Sequence, residues 1–258
     1  MEHIFNLTQE ELVIPCKLSV PDYGSIRRVV LGVHGLTGCM DDPIQAAIAE
    51  EMELFYSAVM RFEFPAHGIS PLDDSYFSVE NCRRTLMAVV RHIRERFAEV
   101  EDLCIFASGF GAYVTLISLE DIVELPGQVR LVVQTPSVMM HENLLAMKRI
   151  TRQELKAMGS VTMRTKRPLE VRYENYKEMR DTSAMIISPI PMLILHSEDS
   201  AVIKLTDVQR FHRMNEGSKL VVIPGTTHQF LEAGAWDMVL DLTRDWFEFQ
   251  QVLLSDWH

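Results

Sequence analysis

Along the chain, short and mostly apolar runs alternate with longer stretches in which apolar residues recur every three or four positions. Arg28–Val33, Tyr56–Phe62, Asp102–Ala107, Val129–Gln134, Met192–His196 and Lys219–Ile223 are the short runs. Runs of this kind suit strands buried on both faces, which requires helices on both sides of a parallel sheet. Ser78–Phe97 places Cys82, Leu86, Val89, Val90, Ile93 and Phe97 at helical spacing with arginines opposite. Gly234–Leu254 does the same with Trp236, Val239, Leu240, Trp246, Phe247 and Val252, and both stripes are expected to face a core. At the N-terminal end, Leu12–Pro21 reads as strands, a hairpin partner ahead of the parallel part. The pattern predicts an α/β fold, one domain over residues 1–258. Met139–Met185 breaks the alternation. It holds a Leu/Met-rich helix at Asn143–Met158, then a polar, β-like piece carrying Val161, Met163, Val171 and Tyr173. Such an insertion between two strands is expected near the strand C-termini, where open α/β sheets bind ligands.

Composition narrows the class. A chain of 258 residues that is 47% hydrophobic can bury a sizeable core, which excludes disordered and fibrous proteins. Lys+Arg 25 against Asp+Glu 36 leaves a net charge of −11, arguing against nucleic acid and anionic membrane surfaces as partners. No apolar run approaches the roughly 20 residues that span a bilayer, and Met1-Glu-His-Ile-Phe lacks the basic and apolar parts of a signal segment. Cys16, Cys39, Cys82 and Cys104 show no metal spacing and read as reduced, mostly buried thiols of a cytoplasmic protein. The nine histidines form no H-x-x-x-H or HExxH pair, and no G-x-G-x-x-G opens the first crossover. Neither a metal nor another cofactor is expected. Arg164, Lys166, Arg167 and Arg172 give the insertion a basic face, either solvated or an attraction for anionic acyl groups.

Five segments carry more chemistry: VVLGVHGLTG (Val29–Gly38), RFEFPAHGIS (Arg61–Ser70), LCIFASGFGAYVTL (Leu103–Leu116), PMLILHSEDSAVI (Pro191–Ile203) and KLVVIPGTTHQF (Lys219–Phe230). In this order they resemble the α/β-hydrolase family across nearly the whole chain. The closest likeness is to small bacterial carboxylesterases of the cinnamoyl/feruloyl-esterase type, which carry a helix-plus-hairpin insertion, or cap, where Met139–Met185 stands. The resemblance implies a mostly parallel twisted sheet flanked by helices. It also implies a pocket for a small ester or an acyl or aromatic ligand, and it is compatible with a homodimer.

A serine hydrolase needs a nucleophile on a sharp strand-to-helix turn, a histidine to take its proton, an acid to orient that histidine, and N–H donors for the oxyanion. In the G-x-S-x-G pattern of the family, small residues flank the nucleophile because strand and helix cross there. Ala107-Ser108-Gly109-Phe110-Gly111 fits with Ala107 and Gly111 as the small residues, which sets Gly109 at the nucleophile position. The register that makes Ser108 the nucleophile puts Phe106 and Phe110 at the small positions. The family's HG-x-x-D matches His196-Ser197-Glu198-Asp199-Ser200, so Ser200 stands at the acid position and Asp199 one residue earlier. His228, after the Pro224-Gly225 turn, matches the base. By resemblance the oxyanion donors are the N–H groups of Leu36 and Phe110. His34 and Gly35 of the HG signature are placed at the binding pocket, and His34 and His67 read as turn support rather than proton carriers. Thr37 and Cys39 lie in the same loop, and a Cys39 thiolate is a conceivable nucleophile if His228 reaches it.

The resemblance therefore implies carboxylic-ester-hydrolase descent with an incomplete Ser-His-Asp triad, weak or inactive as an ordinary serine esterase. Two alternatives stay open. One is an active hydrolase of small esters using Ser108 with His228 and Asp199. The other is a non-catalytic protein that binds a ligand or a partner.

Overall fold

The structure is a computed structural model and describes residues 1–164, 167–228, 230 and 232–250. The expectations for Lys166, Val252 and Leu254 lie outside the described residues. The strands are β1 (Glu2–Gln9), β2 (Leu12–Ser19), β3 (Arg28–Val33), β4 (Ser57–Phe62), β5 (Asp102–Ser108), β6 (Gln128–Gln134), β7 (Ser160–Met163), β8 (Leu169–Arg172), β9 (Met192–Asp199) and β10 (Lys219–Thr227). Eight of them make one sheet in the order β1-β2-β4-β3-β5-β6-β9-β10, while β7 and β8 pair separately. From β4 to β10 the neighbours run parallel, and β1 and β2 join antiparallel at one edge. This is the mostly parallel sheet that the apolar runs call for.

Those runs are apolar because successive residues bury on opposite faces. Val29, Leu31, Val33, Leu103, Ile105 and Ala107 join one core, with Cys82, Leu86 and Val90 of α2 (Val79–Arg96). Val30, Cys104, Phe106 and Leu195 join the other, with Ile48 and Met52 of α1 (Pro43–Leu54) and Val239 and Phe247 of a C-terminal helix, Ala235–Phe249. Each such side chain contributes roughly 1.5–3 kcal/mol on leaving water, so both faces must be covered. Ser78 starts α2 by accepting the Asn81 N–H at 3.0 Å. All four cysteines are buried, and none is in a disulfide among the described residues. No helix among the described residues is long and apolar enough to cross a membrane.

Three local expectations need correcting. The N-terminal hairpin is formed by β1 with β2, in register from Glu2↔Ser19 to Gln9↔Leu12, and not within Leu12–Pro21. An edge strand needs only one buried face, and β1 alternates exposed with half-buried residues, so it lacks the run that marks central strands. The helix expected at Asn143–Met158 is two, α5 (Met140–Lys148) and α6 (Arg152–Met158). Arg149 turns to φ 54°, and Thr151 restarts the chain with a capping box in which its hydroxyl accepts the Glu154 N–H at 3.2 Å. Finally, Tyr173 belongs to a helix, α7 (Tyr173–Asp181), rather than to the β7–β8 hairpin.

β3 lies between β4 and β5. The chain leaves β3 for β4 on one side and reaches β5 on the other, so the loops after β3 and β5 diverge and open a crevice at their C-terminal ends.

Candidate functional site

A cavity of about 360 Å³ fills that crevice. Its floor is the turn from β5 into α3 (Phe110–Ile117). Gly109 makes the turn at φ 51° and ψ −110°. Its N–H donates to Gln134 O at 3.0 Å, and its carbonyl accepts the Tyr113 and Ser137 N–H groups at 3.1 and 3.2 Å. A Cβ at Gly111 would lie 2.6 Å from Val33 O and closer still to His34 O, so α3 crosses the end of β3 at backbone contact. A Cβ at Gly109 would meet nothing within 4 Å. A side chain there would project into open cavity, since Gly109 lines it.

Ser108 also lines the cavity, but its hydroxyl donates to Gln134 Oε1 at 3.0 Å. His228 lines the opposite side, with Nδ1 3.2 Å from Ser200 Oγ, and that oxygen accepts the Ile203 N–H at 3.1 Å. No hydrogen bond joins Ser108 to His228 among the described residues. Asp199, the last residue of β9, is exposed and pairs through its backbone with Thr227. Ser200, not Asp199, sits at the histidine. Burial pushes the His228 pKa down, so the ring is neutral at pH 7.

The loop after β3 is held from beneath. Gly35, Leu36 and Thr37 line the cavity, as does Phe110, the first residue of α3, whose N–H has no partner within its own helix. His34 lies below rather than in the lining. It is 1% exposed, donates Nδ1–H to Gly35 O at 2.9 Å and accepts the Phe64 N–H at Nε2, 3.2 Å. Both ring nitrogens are thus used in the neutral form, and burial pushes its pKa down to about 3. His67 is buried between Pro65 O and Leu36 O, each 2.9 Å from a ring nitrogen, and so ties the loop after β4 to the loop after β3. The sequence did not single out Glu63. Its carboxylate accepts N–H groups of Met40 at 3.3 Å and Ile69 at 3.4 Å, and burial raises its pKa to about 7. The only hint was one acid in the apolar stretch Arg61–Phe64.

Two further candidates fall away from the cavity. Cys39 is buried outside the lining, with Sγ donating to Asp42 Oδ1 at 3.6 Å. The described residues of the basic face do not line the cavity either. Arg167 donates to the carbonyls of Ser70 and Leu72, while Arg164 and Arg172 are exposed, and none of the three lines the cavity. Gln134, Met140, Met147 and Trp236 do line it and were not anticipated. Trp236 was read as core, yet it lies where its helix meets both the core and the cavity. Among the described residues no group of three His, Cys, Asp or Glu side chains could hold a metal ion.

The fold is that of α/β hydrolases. Est1E from Butyrivibrio proteoclasticus with ferulic acid bound superposes with a TM-score of 0.78 at 14% identity, over 95% of this chain and 98% of that one. Mouse α/β hydrolase domain-containing protein 10 gives a TM-score of 0.76 at 14% identity, over 96% and 100%. The esterase domain of a Rhodothermus marinus protein gives 0.68 at 13% identity, over 95% and 97%. No protein-family model matches the sequence, and no curated protein matches it. Likeness at these identities carries the fold, not the chemistry.

Proposed function

We propose that this chain is a protein of carboxylic-ester-hydrolase descent whose Ser–His–acid set is incomplete, and that it binds a small acyl or aromatic compound instead of turning over esters through an acyl-serine. On this reading Gly109 occupies the nucleophile position and Ser200 the acid position. The observation that carries it is the pair of glycines: residue 111 has no room for a Cβ, whereas residue 109 faces open cavity and has no side chain to put there. Loss of triad members can lower the rate by ~10⁶, leaving ~10³–10⁴ over water from the oxyanion donors and binding. The ferulic acid bound to Est1E, a protein of the same fold, supports an aromatic acyl ligand. Four buried cysteines outside any disulfide support a cytoplasmic setting.

The competing reading makes Ser108 the nucleophile with His228 and Asp199. It is disfavoured because Ser108 is bonded to Gln134 and Asp199 is exposed. Turnover of p-nitrophenyl acetate and butyrate separates the two. Wild type and Ser108→Ala are expected to be equally inactive, and hydroxycinnamates are expected to raise the melting temperature of both. Esterase turnover that Ser108→Ala abolishes would reverse the conclusion.

A further inference from the structure

The residue beside His228 changes what that histidine can do. A carboxylate at this place has no proton, so it accepts from Nδ1–H and leaves Nε2 as the acceptor. Ser200 offers a hydroxyl. Its oxygen already accepts the Ile203 N–H, and its single proton has His228 Nδ1 as the side-chain acceptor within reach. Donation to Nδ1 leaves that nitrogen bare, and the one proton of the neutral ring then sits on Nε2. Ser200 lies outside the cavity lining and His228 within it, so Nε2 is the nitrogen on the ligand side.

We propose that Ser200 fixes His228 as the Nε2–H tautomer, so that the pocket presents this ring as a hydrogen-bond donor and selects an uncharged ligand with two acceptor oxygens, an intact ester or lactone, over the corresponding free acid. The proposal rests on the silent-site reading above. The rest of the lining agrees with it. Leu36 and Phe110 line the cavity, and Gln134 Oε1 is occupied by Ser108, which leaves the carboxamide N–H₂ as its other function. Among the described residues the lining contains no Lys or Arg, and it includes the Asp42 carboxylate, so a ligand carboxylate would meet like charge there. One ligand oxygen is held by the backbone pair, and the second accepts from His228. A ring already protonated on Nε2 cannot take a proton from an attacking group there, which is why such an ester is held intact.

Long-range ¹H–¹⁵N spectra of histidine-labelled protein above pH 7 test this, with His228 assigned by its loss in His228→Gln. The expected pattern is a protonated Nε2 and a bare Nδ1 in the wild type, inverted by Ser200→Asp. A protonated Nδ1 in the wild type overturns the tautomer whether or not Ser200→Asp folds. Calorimetry with methyl 4-hydroxycinnamate and 4-hydroxycinnamic acid tests the ligand class. The ester is expected to bind at least about tenfold tighter and to be recovered unchanged. Equal or tighter binding of the acid, or no binding of the ester, overturns it. Cleavage of the ester would count against the silent-site reading, while the spectra still decide the tautomer, so the two failures are distinguishable.

Discussion

The two walls of the pocket are held in different ways. The wall made by the β3 loop and the start of α3 is main chain, buttressed from below by side chains that no ligand touches. His34 holds Gly35, His67 holds Leu36, Glu63 gathers the N–H groups of Met40 and Ile69, and Gly111 lets α3 lie against Val33 and His34. The facing wall is made of residues at and after the ends of β6, β9 and β10, and two of its polar side chains are held through hydroxyl groups, Gln134 by Ser108 of β5 and His228 by Ser200 behind the lining. Packing over-determines the first wall, so it persists for as long as the fold does. Side chains at Gly109, on the turn into α3, and at Ser200 are ones the core does not constrain, so both positions can vary at little cost to the fold.

The comparison breaks most visibly at the two glycines. Gly111→Ala is expected to destabilise by about 3 kcal/mol or more, since backbone must move to admit the Cβ. Gly109→Ala should cost only about 1–2 kcal/mol of φ strain. Urea midpoints of the two variants measure the gap, and equal losses would contradict it.

The buttress also has a pH signature. Glu63 keeps its proton in the folded protein up to about pH 7 but loses it near 4.5 when unfolded. The folded state therefore binds the extra proton between those values, and this group's contribution to stability falls as pH rises through them. Glu63→Gln removes the term, so it should gain about 3 kcal/mol relative to wild type between pH 4.5 and 7. Parallel denaturation curves across that range are the check, and a constant offset would contradict the buried carboxyl.

Smaller effects follow within each wall. His67→Phe removes the imidazole that bridges Pro65 O and Leu36 O and is expected to cost about 2 kcal/mol and to weaken ligand binding. On the facing wall, Asp199→Asn should change stability by less than about 0.5 kcal/mol and leave ligand affinity untouched, because Asp199 is exposed. Calorimetric titration and melting curves on the same samples read both, and a loss of affinity in Asp199→Asn would restore that residue to the site.

What the sequence made legible follows the same division. The buried strands and the Ala107–Gly111 turn were readable because strand burial and the strand–helix crossing impose residue types locally. The insertion was readable as a helix followed by a hairpin, but the break at Arg149 depends on a non-glycine residue with positive φ, which composition does not announce. Gln134 stands 26 residues from Ser108. Nothing near either residue foretells that bond, just as nothing in the stripe of the last helix separates Trp236, at the cavity, from Phe247, in the core. Such partners meet only through the tertiary arrangement.

The central claim is that the turn at Gly109 lacks a nucleophile and otherwise keeps its shape. Intact-protein mass spectrometry after exposure to a fluorophosphonate tests it most directly. Wild type is expected to gain no adduct, and Gly109→Ser with Ser200→Asp to gain one phosphonyl group on residue 109. A stoichiometric adduct on Ser108 of the wild type would contradict the account.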